Sequence, residues 1–250
     1  MSDWTWAAAR ARGTSHETSG APCQDAFRCR LINGTLVAIV CDGAGSAEFG
    51  GPGAALATRA MAAKATAYFA NTTDLPDDAT LWNWIDEARD LIATAAANRN
   101  AAPRAFASTL VCVLATPFRT LVLHIGDGVA ALRGADANSW SVPLWPAHGE
   151  YASSTFFLTD DPEPKTRIER IDGPISAVVA MSDGLERLAL DFANQTPHLP
   201  FFENIVRPVI QVERKGHAAD LSAQLQTYLQ SEAINARTDD DKTLVVAVRS

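Results

Sequence analysis

The sequence predicts an α+β layered domain. Three observations carry that prediction: helical patterns follow the first strand, a succession of short strands comes next, and helices with one last buried strand close the chain. A doubly wound parallel fold would alternate strand and helix throughout. The chain has 250 residues, of which 47% are hydrophobic and 20% charged, which is enough for a sizeable core and unlike a disordered chain. It shows neither an internal repeat nor a linker rich enough to mark a boundary, so residues 1–250 read as a single domain.

From Leu31 to Cys41, aliphatic residues run into an abrupt DGAGS, the pattern of a buried strand ending in a glycine turn. Gly53–Phe69 is alanine-rich, with Leu56, Ala60, Met61, Lys64 and Tyr68 at helical spacings, and Asn71, Thr72, Thr73 and Pro76 supply the stop. A second helix is predicted from about Ala79 to Arg99, because Leu81, Trp84, Ile85, Ala88, Leu91, Ile92 and Ala95 share one face. The two helices are expected to pack as one layer. Four extended segments follow, Ser108–Ala115, Thr120–Ile125, Val129–Arg133 and Ser139–Val142, and read as an antiparallel meander. Between Pro143 and Arg167 the pattern breaks into Pro, Gly, Ser and acidic residues, and residues 147–165 are expected to form a flap. Strands are predicted at Arg167–Ile171 and Ile175–Ala180, helices near Leu199–Val206 and His217–Ile234, and a last strand at Thr243–Val248.

Acidic side chains number 29 against 21 basic ones, a formal charge of −8, which disfavours nucleic acid and anionic lipid as partners. The longest charge-free apolar stretches, Leu31–Cys41 and Ala105–Phe118, fall short of the ~18 residues of a membrane span. The start, MSDWTWAAARAR, lacks the basic and apolar regions of a secretory signal, so a cytoplasmic location is expected. Cys23, Cys29, Cys41 and Cys112 show no CxxC spacing and read as buried free thiols.

Four acidic sites share one setting, at the end or beginning of a hydrophobic strand: Asp42 in VAIVCDGAGS, Asp127 in LVLHIGDGVA, Asp183 in VVAMSDGLE, and Asp239–Asp241 before KTLVVAV. One Asp-Gly after a strand is more often a turn than a ligand, and the triple aspartate alone reads as a solvated loop. Three Asp-Gly pairs plus an acidic run change that balance. Carboxylates beside a core are costly unless paired or bound to a cation, and only two arginines, Arg187 and Arg237, lie near any of them in sequence. The pattern therefore points to a metal. Oxygen-only ligands select hard cations such as magnesium or manganese, and no paired His or Cys spacing suggests zinc. GAGSAEFGG lacks the Gly-Lys-Ser/Thr ending of a nucleotide-binding loop.

The ordered series CQDAF, VCDGAGS, STLV, IGDG, MSDG and DDKTLVV resembles the metal-dependent protein serine/threonine phosphatases of type 2C, and GEYASSTFFLTDD is similar to their bacterial branch. The resemblance covers nearly the whole chain. It implies a four-layer α-β-β-α sandwich, two mainly antiparallel sheets flanked by helices. It also implies hydrolysis of phosphoserine and phosphothreonine in proteins by a water shared between two Mn2+ or Mg2+ ions, without a covalent phosphoenzyme. By the same resemblance Asp42 bridges both cations, Gly43 offers its carbonyl, Asp183 and Asp240 complete the set, and Asp25 acts through coordinated water. Asp127 is the candidate for a weakly held third cation. The implied partners are a phosphorylated protein and a cognate serine/threonine kinase.

The chain departs from the family pattern at three places. Gly20 stands where many relatives have a phosphate-binding arginine, which leaves Arg10, Arg12 and His16 as candidates for that contact, although a lone His16 also reads as a histidine satisfied by backbone hydrogen bonds. Ala44 replaces a histidine after the first Asp-Gly, so leaving-group protonation is expected from water, with His16 and His148 as the alternatives. Arg187, beside Glu186, stands where relatives with a third cation carry an acid. The competing reading is a catalytically silent relative that binds a phosphoprotein or kinase.

Overall fold

The computed structural model describes residues 4–135, 139–147 and 155–249. Its strands are β1 (Trp4–Ala11), β2 (Ala26–Ile32), β3 (Thr35–Cys41), β4 (Leu110–Ala115), β5 (Arg119–Ile125), β6 (Val129–Gly134), β7 (Trp140–Ser141), β8 (Arg167–Asp172), β9 (Ile175–Met181), β10 (Leu190–Asp191), β11 (Thr196–Pro197), β12 (Gly216–His217) and β13 (Lys242–Arg249). The helices are α1 (Thr14–Ser19), α2 (Gly50–Phe69), α3 (Asp78–Ala97), α4 (Glu186–Ala189), α5 (Leu199–Ile210), α6 (Ala219–Leu229) and α7 (Glu232–Asn235). One sheet runs β2-β3-β4-β5-β8 and is wholly antiparallel; the other runs β12-β1-β13-β9-β6-β7, with β1–β12 its parallel pair. Residues β10 and β11 form a separate two-stranded ribbon.

Alternation along the strands builds the layers. In β3, Leu36, Ala38 and Val40 face the other sheet and meet Trp4, Ala8, Val178, Val245 and Ala247. Val37, Ile39 and Cys41 point the opposite way, onto Ala57, Met61 and Phe69 of α2 and Leu81, Ile85 and Ile92 of α3. On the outer face of the six-stranded sheet, Ala7, Val179, Leu244 and Val246 are covered by Phe202 and Val206 of α5 and Leu225 and Leu229 of α6. The order is helices, sheet, sheet, helices, the expected four-layer α+β sandwich. Asp77 caps α3, its side chain accepting from Thr80 N–H at 2.9 Å.

Local differences from the sequence reading have physical causes. The apolar run from Leu31 breaks at Asn33-Gly34, both at positive φ, so β2 and β3 form a hairpin. The predicted meander is not one sheet. After β5 the chain crosses at Gly126–Gly128 to the other sheet, where β6 pairs with β9, while β5 takes β8 as its neighbour. Periodicity records which residues alternate, not which strand lies next door. Helix α5 continues past Val206 through Pro208, keeping Val209 buried against the sheet. The helix expected over His217–Ile234 is divided: His217 stacks on Trp6 with ring centroids 4.1 Å apart, and Ser231 separates α6 from α7. Cys29, Cys41 and Cys112 are buried and all four cysteines are free.

Part of the segment expected as a flap, residues 148–154 with His148 among them, lies outside the described residues. Its later part is tied to the five-stranded side: Arg89 donates to the Asp160 and Pro162 carbonyls at 3.0 and 3.2 Å, Arg104 reaches Asp160 at 2.9 Å, and Leu158 is fully buried. Among the described residues no helix is long and apolar enough to cross a membrane.

Candidate active site

Strand ends deliver the acidic residues to one edge of the sandwich. Asp42 follows β3, and its backbone is pinned on both sides: its N–H donates to Thr109 Oγ1 at 3.0 Å, and its carbonyl accepts from Thr109 N–H at 2.8 Å. Gly43 forms a bridge with Ser108 whose flanking bonds use the Asp42 and Ala107 carbonyls, leaving the Gly43 carbonyl outside the ladder. Asp183 opens a short 3-10 turn after β9, and Asp240 stands on the approach to β13. These two loops touch: a Cβ on Gly184 would lie 2.0 Å from the Asp241 carbonyl, so glycine is what allows the close approach.

Asp25, just before β2, is buried and ties the site together. Ser182 Oγ–H donates to its Oδ2 at 2.7 Å, while its buried Oδ1 has no hydrogen-bond partner among the described residues and Asp42 and Thr243 lie beside it. Ser182 also accepts from Thr243 N–H at 2.9 Å, linking β9, β13 and the start of β2.

Burial and mutual repulsion dominate at these groups. Burial pushes Asp42 well above the usual carboxylate range, and Asp25, Asp183 and Asp240 add repulsion. Asp25 is pushed up to about 6, chiefly by burial. Asp183 is pushed up to about 8 by burial and by Asp127, Asp240, Asp25 and Glu186. Asp240, though more exposed, is also raised, first by partial burial. Neither lysine nor arginine forms an ion pair with Asp25, Asp42, Asp183 or Asp240 among the described residues.

Asp127, on the crossing loop after β5, is buried at the same edge and acts on Asp183 and Glu186. Glu186 is in turn pushed up to about 7, by burial and then by Asp127. In the sequence Glu186 is one acid beside Arg187, and nothing local marks it as part of the site. The start of α4 turns Glu186 toward the acids and leaves Arg187 exposed.

Asp241 was also missed as a separate functional residue, since in sequence it is one of three adjacent aspartates. It is 2% exposed, accepts from the backbone N–H groups of Gly13 and Gln24, and has His16 Nδ1 3.0 Å from its Oδ2. His16 is therefore held at the acidic edge, where it also acts electrostatically on Asp240. Arg12 donates to the His16 carbonyl and Arg10 to the Asp25 carbonyl, so both arginines support backbone here. Gly20 closes α1 at φ +78°, a left-handed conformation that disfavours the arginine found there in relatives.

Among the described residues no three His, Cys, Asp or Glu side chains stand as a ready-formed metal cluster. The donor chemistry nonetheless suits a hard cation. The candidate ligands are all oxygens, and the buried Asp183 Oδ1 has no hydrogen-bond partner among the described residues.

The fold and this carboxylate edge define a class, and residues 12–230 match the family described as protein phosphatase 2C. The chain belongs to that family and is a protein phosphatase. It is 34% identical over 257 aligned residues to serine/threonine-protein phosphatase 3 of Escherichia coli (strain K12), covering 98% of each chain. Among solved structures it resembles PppA of Pseudomonas aeruginosa, with a TM-score of 0.67, 15% identity and coverage of 99% of this chain and 98% of that one. It also resembles the serine/threonine phosphatase Stp1 of Staphylococcus aureus, with a TM-score of 0.63, 15% identity and coverage of 98% and 94%. At these identities the two structures support the fold.

Proposed function

We propose that this chain, acting as one catalytic domain, hydrolyses phosphoserine and phosphothreonine in proteins with two divalent cations, manganese or magnesium. The observation that carries this reading is the convergence of Asp25, Asp42, Asp183 and Asp240, all raised in pKa, with no basic side chain paired to them among the described residues. Asp42, the Gly43 carbonyl, Asp183 and Asp240 are the groups that would hold the cations, and Asp127 with Glu186 is the candidate for a weaker third. When bound, such ions supply Lewis-acid polarisation of the phosphoryl group and a water of lowered pKa.

The chain's own side chains do the positioning. Asp25, fixed by Ser182, which Thr243 N–H holds in turn, stands beside Asp42 and acts on it through its charge. Asp241 clamps the Gly13–Gln24 segment to the Asp240 loop and presents His16, the candidate phosphate contact. The local hydroxyl and thiol are poorly placed to attack: Ser182 is buried with its Oγ accepting from Thr243 N–H, and Cys23 is pushed up to about 12 by burial and then by Asp25. Attack by water without a covalent phosphoenzyme follows from that.

The test is hydrolysis of para-nitrophenyl phosphate and of phosphothreonine peptides with manganese and with chelator. Metal-dependent turnover of both supports the reading. Phosphopeptide binding without turnover would instead make the chain a binding module.

A further inference from the structure

The helical layer over the six-stranded sheet is incompletely closed. Between α5 and α6 lies a groove of about 810 Å³ whose floor reaches Ala7 and Val246 of the sheet and whose walls include Phe201, Ile205, Leu221 and Tyr228. That volume is within the range of sites that enclose a ligand, roughly 300–1,000 Å³. A second hollow, of about 240 Å³, is lined by Asp183, Glu186, Asp239 and Asp240 of the acidic edge. The two adjoin, with Arg187, Leu188 and Arg237 lining both.

Arg187 and Arg237 are exposed, and neither guanidinium makes an ion pair or side-chain hydrogen bond among the described residues. They are the two basic residues in the lining of the acidic hollow, where a phosphoryl dianion is otherwise met by four carboxyl groups. Two unpaired arginines at the junction of an acidic pocket and an apolar groove match a substrate that is anionic at one point and apolar beside it.

We infer that the α5–α6 groove docks apolar residues flanking the phosphorylated residue of the protein substrate, while Arg187 and Arg237 balance the phosphoryl charge at the junction. This rests on the phosphatase reading and adds a substrate class to it: phosphoserine or phosphothreonine segments with leucine- or phenylalanine-like neighbours. An extended chain advances about 3.3–3.6 Å per residue, so a neighbour a few positions away can occupy the groove while the phosphate remains in the acidic hollow.

The experiment compares phosphothreonine peptides carrying leucine and phenylalanine flanks with peptides carrying glycine and serine flanks. Fluorescence anisotropy gives binding independently of turnover, and steady-state kinetics with manganese gives KM and kcat. The apolar-flanked peptide should bind about tenfold more tightly, the gain expected from burying one such side chain, and the gain should appear in KM. The double variant Asn204→Trp/Gln224→Trp, which narrows the groove from exposed positions, should erase that preference. Arg187→Gln/Arg237→Gln should weaken both peptides and leave the preference standing. Equal binding of the two peptides by the unaltered protein overturns the inference, as does a preference that survives the tryptophan variant. So does a dimer in sedimentation that the tryptophans dissociate, or a co-purifying small apolar molecule that the apolar peptide fails to displace. Absence of turnover on every substrate, with the binding preference intact, would count against the phosphatase reading and leave the docking site supported.

Discussion

The acidic edge of the sandwich and the helix-covered face of its five-stranded sheet are built on opposite physics. Under α2 and α3, Ile39, Met61, Phe69 and Ile85 are fully buried in apolar surroundings, and each atom taken from water contributes stability. At the edge, Asp25, Asp42 and Asp183 repel one another and are driven toward protonation by burial. One region holds the chain together, and the other holds charges where they would not stay unaided. The same strands serve both, since β3 contributes Ile39 to the first and ends at Asp42 in the second. Stability and activity should therefore respond in opposite directions to changes in the two regions.

The largest effect is expected at Asp42. Asp42→Asn should lower kcat by about a thousandfold, ~4 kcal/mol, and weaken manganese binding in calorimetric titration. In chelator, the same variant should be more stable than the parent by on the order of 1 kcal/mol, or about 2–4 °C in Tm, because a repelling charge has gone. Unchanged manganese binding would remove Asp42 from the site. A lower Tm in chelator would break the contrast between the regions.

The converse change lies in the packed face. Ile85→Ala leaves a cavity between α3 and the sheet and should cost about 2–5 kcal/mol in urea unfolding. Turnover per folded molecule should stay within about twofold, since no atom of the acidic edge is removed. A large loss of kcat without loss of stability would show that the helix layer communicates with the site.

The pH dependence sharpens the comparison. The folded-state pKa values of Asp25 and Asp183, about 6 and about 8, exceed the unfolded value of ~3.9. The metal-free folded protein thus holds protons that the unfolded chain has released, so its stability falls as pH rises through that window. His124, pushed down to about 3 by burial and then by Arg167, acts oppositely between pH 3 and its unfolded value of ~6.5. The clean fall therefore lies between about pH 6.5 and 8, and manganese should reverse it most at the alkaline end, releasing protons as it binds. Melting curves in chelator that are flat or rising across that interval would contradict the assigned shifts.

What was legible in the sequence follows the same division. Helices α2 and α3 were readable because burial on one face imposes a local period, and Asp42 and Asp183 because strand, aspartate and glycine occur together within a few residues. The sheet crossing at Gly126–Gly128 was not readable, because its cause is the choice between β6 and β8 as partner for β5, decided far along the chain. Strand β1 was masked by its alanines, which favour helix locally and become a strand through pairing with β13. Glu186 and Asp241 were hidden for a related reason: each is one acid beside another charged residue, and the fold alone separates the one that turns inward. Asp241 could have been suspected from the need of an N-terminal segment to be anchored, but no local pattern names its partner.

The smallest expected effect belongs to the contact that joins the two chain ends. His16 Nδ1 lies 3.0 Å from Asp241 Oδ2, a charge contact that sets the ring at the acidic edge as the candidate phosphate contact. As a phosphate contact it acts on bound substrate and transition state alike, so His16→Ala should raise KM by about threefold to tenfold, with kcat little changed. His16→Gln, which retains a donor near the same place, should recover part of the loss. A general acid would behave differently, because its removal slows substrates in proportion to how poor their leaving group is. Measuring kcat for aryl phosphates of graded leaving-group pKa separates the two roles. A selective fall for the poorest leaving groups in His16→Ala would make His16 the proton donor and end the assignment of that step to water.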